Sequence, residues 1–237
     1  MNRHQLLLAA LLLLSFASSA QKKDFSILLK TGERHLSENV SQSFLDSFNT
    51  HVPHYAGKAY ALIQFREIPG PAQKSLLVQR GIELLEYVPN FAYTATVKGN
   101  LNILDLQGLA VRAIIALTPE QKMHAALPKA PLPNWAVKVP GTIDVWVQFP
   151  KSFTTPQVLE ALKTKNIDVF SADMQGYNIL AIRIAANRLT ELAAYPFIAY
   201  VQPAPPPVEP LNWNSRNGAR ANLLNAAVAD GGRGLNG

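Results

Sequence analysis

Apolar and polar residues alternate from Ile143 to Phe149 (IDVWVQF), the two-residue period of a half-buried strand. The period then lengthens. Val158, Leu159 and Leu162 recur at helical spacing behind Thr155, read as the cap, and Pro156, whose missing N–H costs nothing in a first helical turn. Asn166 reads as a left-handed stop before a strand over Ile167–Ala172. A turn at Gln175-Gly176 leads to a strand over Tyr177–Ile184, then Asn187 caps a helix carrying Leu189 and Leu192, and Phe197–Gln202 closes the unit. The same succession runs earlier in the chain. Strand Tyr60–Phe65 (YALIQF) parallels Asp144–Phe149 (DVWVQF), followed by a helix from Pro71 to Arg80, Gly81 as its stop, and strands Ile82–Val88 and Phe91–Val97. A helix over Leu101–Gln107 after Asn100 and a strand over Val111–Leu117 end the first copy. Gln64 and Gln148 are 84 apart, Gly81 and Asn166 85, and Asn100 and Asn187 87, so two copies of one unit stand in tandem.

Strand, helix, strand, strand, helix, strand is the split βαβ order, which packs two helices on one face of a four-stranded antiparallel sheet and leaves the other face free. The predicted fold class is therefore α+β: two tandem ferredoxin-like (βαββαβ) modules over residues 58–127 and 143–203. A Pro-rich, aperiodic stretch at 128–142 reads as a stiff extended linker, and a second Pro-rich tract at 204–217 favours polyproline II. Within the leader at 21–57, a short strand over Phe25–Lys30, a turn at Thr31-Gly32 and a helix over Val40–Phe48 are expected. Residues 218–237 start as a helix with Ala219, Leu223, Ala226 and Ala227 on one face and end in a glycine-rich loop, as the front of a longer polypeptide would.

Composition narrows the function classes. The 237 residues include no Cys, 48% are hydrophobic and 16% charged, which fits a globular chain with enough apolar residues for two cores. Met1–Ala20 stand outside both: Arg3 precedes an unbroken apolar run from Leu6 to Leu14, and Ser18-Ser19-Ala20 offers small residues for cleavage between Ala20 and Gln21. That run falls short of the roughly 20 apolar residues that span a bilayer, so it reads as a signal peptide and the product as secreted, extracellular or periplasmic, with no membrane contact after its removal. Lys and Arg number 22 against 16 Asp and Glu, for a net +6. The excess is scattered, and the strands that carry stacking aromatics in RNA-binding sheets are aliphatic here, so no nucleic-acid partner is expected.

Catalytic chemistry is missing from the residues. His51-Val-Pro-His54 has metal-like spacing, but Pro53 breaks the helix that would present such a pair, and no carboxylate cluster lies nearby. No serine sits in a Gly-x-Ser-x-Gly elbow, Asp230-Gly231 follows a helical pattern rather than a strand, and no phosphate-cradling glycine loop follows a strand. No cofactor, metal or catalytic residue is expected. Asn39-Val40-Ser41 fits a glycosylation sequon with nothing else to support it.

The second repeat resembles the inhibitor-type propeptide of subtilisin-like serine peptidases. The resemblance lies in IDVWVQF, in LEALKTKNIDVF, and in Tyr177–Ile184 followed by Leu189-Thr-Glu-Leu-Ala-Ala-Tyr-Pro-Phe-Ile-Ala-Tyr-Val-Gln-Pro203. The first repeat is a looser version, and Ala221–Gly237 is similar to the entry of the peptidase domain. The aspartate strand, the His-Gly-Thr motif and the Gly-Thr-Ser motif of the family are absent. The resemblance implies a precursor's pro-region, acting as intramolecular chaperone and inhibitor, with the cognate peptidase domain in cis as its partner. It further implies a sheet face that docks on the peptidase, formed by Val145, Val147, Leu180 and Ile182 or by their neighbours of opposite parity. The segment after the last strand would occupy the cleft, with processing in Leu211, Asn212, Trp213, Asn214, Ser215, Arg216 and Asn217, beyond the cleavage-resistant prolines. A stand-alone secreted binding module, acting as an inhibitor in trans or as an adhesion repeat, is the alternative; an Asp-bearing strand encoded beyond Gly237 separates the two.

Overall fold

The computed structural model describes residues 23–127, 131–206, 228–230 and 233. The expected signal segment with Ala20 and Gln21, the expected processing segment Leu211–Asn217 and nearly all of the expected C-terminal helix lie outside these residues. Of that last stretch, Val228–Asp230 form a single 3₁₀ turn.

Strands β1 (Ser26–Leu29) and β2 (Gly32–His35) make an antiparallel hairpin about Lys30-Thr31. β2 carries no apolar alternation (GERH) and is exposed throughout, which is why its pattern gives no strand signal. Helix α1 (Gln42–His51) starts at Ser41, whose Oγ accepts from Phe44 N, and buries Leu45 and Phe48. The first module follows as β3 (His54–Tyr55), β4 (Lys58–Phe65), α2 (Pro71–Gln79), β5 (Ile82–Val88), β6 (Ala92–Lys98), α3 (Ile103–Leu106) and β7 (Val111–Ile115). Its sheet runs β7-β4-β6-β5, all antiparallel, with β3 sharing β4's β7-side edge at Lys58 and Ala59. The second module comprises β8 (Thr142–Gln148), α4 (Thr155–Thr164), β9 (Asp168–Ser171), β10 (Ile179–Ala185), α5 (Leu189–Ala194) and β11 (Tyr200–Pro203), in the order β11-β8-β10-β9. Both sheets thus place their strands in the order fourth, first, third, second. The α+β architecture with antiparallel sheets holds, β3 adding a fifth strand to the first sheet.

Local corrections have simple causes. The cap of α4 is Thr154 rather than Thr155, because Gln157 completes a capping box with it: Thr154 N donates to Gln157 Oε1 at 2.9 Å. Asn102 rather than Asn100 caps α3, its Oδ1 accepting from Leu104 N and Asp105 N. Asn187 caps nothing, lying inside the 3₁₀ turn Ala186–Arg188 that precedes α5.

The face expected to be free in the first module is covered. One side of its sheet packs Ala61, Ile63, Phe65, Ala95, Val97 and Ile114 beneath α1, α2 and α3, and the other side receives the β1–β2 hairpin, where Ile27 packs on Leu62 and Ala92. Burial on both faces explains why Ala59 to Phe65 are buried without interruption. Gln64 is fully buried and fastens the hairpin, its Nε2 donating to Phe25 O at 2.8 Å and Asn90 O at 3.0 Å while Oε1 accepts from Arg112 Nη1 at 2.8 Å.

The linker likewise departs from expectation. Met123, Leu127 and Ala136 belong to the second module's core, although the repeat pattern assigns 122–127 to the first module. Met123 bridges Val201 in parallel, His124 N donates to Val201 O at 2.8 Å, and buried Lys122 donates through Nζ to Tyr195 O at 2.9 Å. The two modules also lock directly. The Tyr55 ring lies 5.6 Å from Phe153 and 4.8 Å from Phe197, its hydroxyl donates to Gln157 O, and Lys58 Nζ donates to Ser152 O. Gln148, the repeat partner of Gln64, reaches Glu86 of the first sheet at 3.1 Å.

Candidate docking surface and chain exit

Strand parity divides the second sheet. Val145 pairs with Ile182 and Val147 with Leu180, and all four side chains are fully buried against α4 and α5. These residues, expected as one possible docking set, are core, because their parity is the one that the helices cover. Outward, on the opposite parity, point Asp144, Trp146 and Gln148 of β8, Ile179, Ala181 and Arg183 of β10, and Tyr200 and Gln202 of β11. Phe170, 48% exposed, extends the surface along β9. The sequence carried part of this signal: Asp144 and Arg183 share a parity with Trp146, and an ionised group needs either water or a partner.

The surface is aromatic and amphipathic. Arg183 and Asp144 form a bidentate pair across β10 and β8, Nε to Oδ1 at 2.6 Å and Nη2 to Oδ2 at 2.9 Å, and the Arg183 guanidinium lies 5.5 Å from the Phe170 ring centroid. Bonding to Asp144 further secures the charge on Arg183. At the β11 end, Lys30 from the tip of the β1–β2 hairpin stands 3.8 Å from the Tyr200 ring centroid, and burial raises the Tyr200 hydroxyl above its ordinary pKa. Trp146, Ile179, Tyr200 and Lys30 surround a small cleft of about 50 Å³.

Chain exit is fixed by the linker. β11 continues its pairing as far as Ala204, whose N–H donates to Asp144 O at 2.9 Å, and Trp135 Nε1 donates to Ala204 O at 3.1 Å. Pro205 and Pro206 follow, unable to donate, so the ladder on β8 ends there. His51 closes α1 with its Nδ1 against Ser47 O at 2.8 Å, and exposed His54 stands in β3. Asn39, the sequon residue, spends its amide on Ile114, donating to its carbonyl at 2.7 Å and accepting from its N–H at 3.0 Å. Among the described residues no helix is long and apolar enough to cross a membrane.

Residues 24–118 match a family described as a domain of unknown function (DUF8729). The match takes in the β1–β2 hairpin, α1 and the first sheet together, and the hairpin's packing against that sheet gives the joint span a structural basis. No curated protein and no solved structure matches the chain.

Proposed function

We propose that the chain is the pro-region of a secreted subtilisin-like serine endopeptidase precursor, serving the peptidase domain in cis as folding template and inhibitor. One observation carries the reading: the second module joins a helix-free, aromatic sheet face to a chain exit at Ala204–Pro206, held beside Asp144 and Trp135 at the end of β11. A partner bound to that face receives the following segment at a fixed position. Any such partner is stabilised in its folded state by mass action, which is how a binding module acts as a chaperone. The first module and its hairpin buttress the second through Tyr55, Lys58 and Glu86.

The test is the coding sequence beyond Gly237. It is expected to encode an apolar strand ending in an Asp-Ser/Thr/Asp-Gly motif, then His-Gly-Thr and Gly-Thr-Ser motifs. A stop codon there, or an unrelated domain, contradicts the proposal and leaves a stand-alone binding module.

A further inference from the structure

A second site lies on the first module, independent of the docking surface. Glu38, Asn39, Val40, Arg66, Leu106 and Arg112 are among the residues that line a cavity of about 340 Å³ beside the open end of β7. Its walls are of two kinds. Val40, Ile103, Leu106 and Val111 are apolar, while Arg66 and Arg112 bring two guanidinium groups to the mouth.

The arginines are unequally used. Arg112 is held by Nη1 bonds to Leu36 O at 2.7 Å and Gln64 Oε1 at 2.8 Å, and its guanidinium lies 4.5 Å from the Phe25 ring centroid. Its Nε is shut away from solvent without a hydrogen-bond partner among the described residues, the nearest carboxylate being Glu38 Oε1 at 3.7 Å. A buried, unpaired guanidinium N–H is a donor awaiting an acceptor. Arg66, by contrast, holds Glu38 in a bidentate pair at 2.6 and 2.8 Å. Glu38 stands outside helix and strand, its side chain 51% exposed and that of Arg66 53% exposed. Both partners are about half exposed, so a competing carboxylate can reach the Arg66 fork from solvent.

We propose that the cavity binds a carboxylate carried on a short apolar tail, the carboxylate taking the place of Glu38 between Arg66 and Arg112 Nε and the tail lying along Val40, Ile103, Leu106 and Val111. Glu38 is then a built-in surrogate that sets the threshold for entry. The geometry suits a planar, two-oxygen anion because the Arg66 fork is already engaged in that manner. One anion neutralises the charge left uncompensated once Glu38 has swung out.

Hexanoate, an N-acetylated tripeptide ending in leucine with a free carboxylate, and the same tripeptide as its C-terminal amide are titrated into the full chain by NMR and calorimetry. Saturable binding of hexanoate and the free-acid peptide is expected, with none for the amide. Arg66→Ala, which leaves a surface position and preserves the fold by circular dichroism, weakens binding at least about tenfold. Glu38→Gln tightens it about two- to fivefold by removing the competitor. Saturation by the acid peptide alone assigns the ligand as a chain terminus, and by hexanoate alone as a free small acid. No saturation by either, equal binding of the amide, or weaker binding on Glu38→Gln overturns the proposal.

Discussion

Gly81 and Asn166 show how one backbone demand, met twice, is answered by different residues. Both end a helix in the left-handed region, at φ 79° and 52°. At Gly81 a Cβ would also meet Lys98 O at 2.9 Å, whereas asparagine tolerates the conformation at 166. Gly81→Ala is therefore expected to cost about 1–3 kcal/mol in urea unfolding, and Asn166→Gly to change stability by less than about 1 kcal/mol. Equal effects at the two sites would contradict this account. Both stops were legible in the sequence because the chemistry is local. Lys122 was not, since nothing in Leu117–Lys122 announces that its ammonium is buried against Tyr195 O. Burial pushes Lys122 down to about 8, below its unfolded value of 10.5. The unfolded chain then binds more protons between those values, so this group raises stability as pH increases through 8 to 10, and its full cost is present below 8. Urea midpoints of wild type are expected to gain about 1–2 kcal/mol from this group between pH 7.5 and 9.5, relative to Lys122→Met. Parallel curves for the two proteins would show that the lysine is not buried.

Among the elements, strands and helices of the second module were readable within about three residues, the start of β11 at Tyr200 rather than Phe197 being the widest miss, because alternation and capping lie within each segment. What escaped was everything decided by a neighbour. The β1–β2 hairpin covers a sheet face that the repeat pattern left free, and Ala59–Phe65 carries the trace of it in unbroken burial. The Pro-rich linker expected to be stiff and extended folds back through Trp135 and Ala136. Parity in β8 stayed open in the sequence, since Gln64, the repeat partner of Gln148, is fully buried; the packing of α4 and α5 decides that Val145 and Val147 point inward. Tyr55 joins the modules by setting its ring between Phe153 and Phe197. Tyr55→Ala removes a partly buried aromatic side chain and is expected to cost about 2–3 kcal/mol, separating one thermal transition into two. A single transition shifted by less than about 0.5 kcal/mol would contradict the anchoring role.

The whole molecule is a paired scaffold in which the first module is covered on both faces and the second carries helices on one face only, its other face half-buried with Phe170 exposed along β9. Sequence periodicity located the two modules, but it could not say which would remain available to a partner, since that depends on where residues 23–36 pack. The most direct measurement of the central claim is inhibition, by the separately purified chain, of the peptidase that we propose is encoded in the same reading frame. Tight, stoichiometric inhibition is expected. It should weaken at least about tenfold on Trp146→Asp and on Tyr200→Asp, both facing outward from the sheet, because aromatic contacts dominate such surfaces. Full peptidase activity in excess chain, or inhibition untouched by both substitutions, would contradict the account.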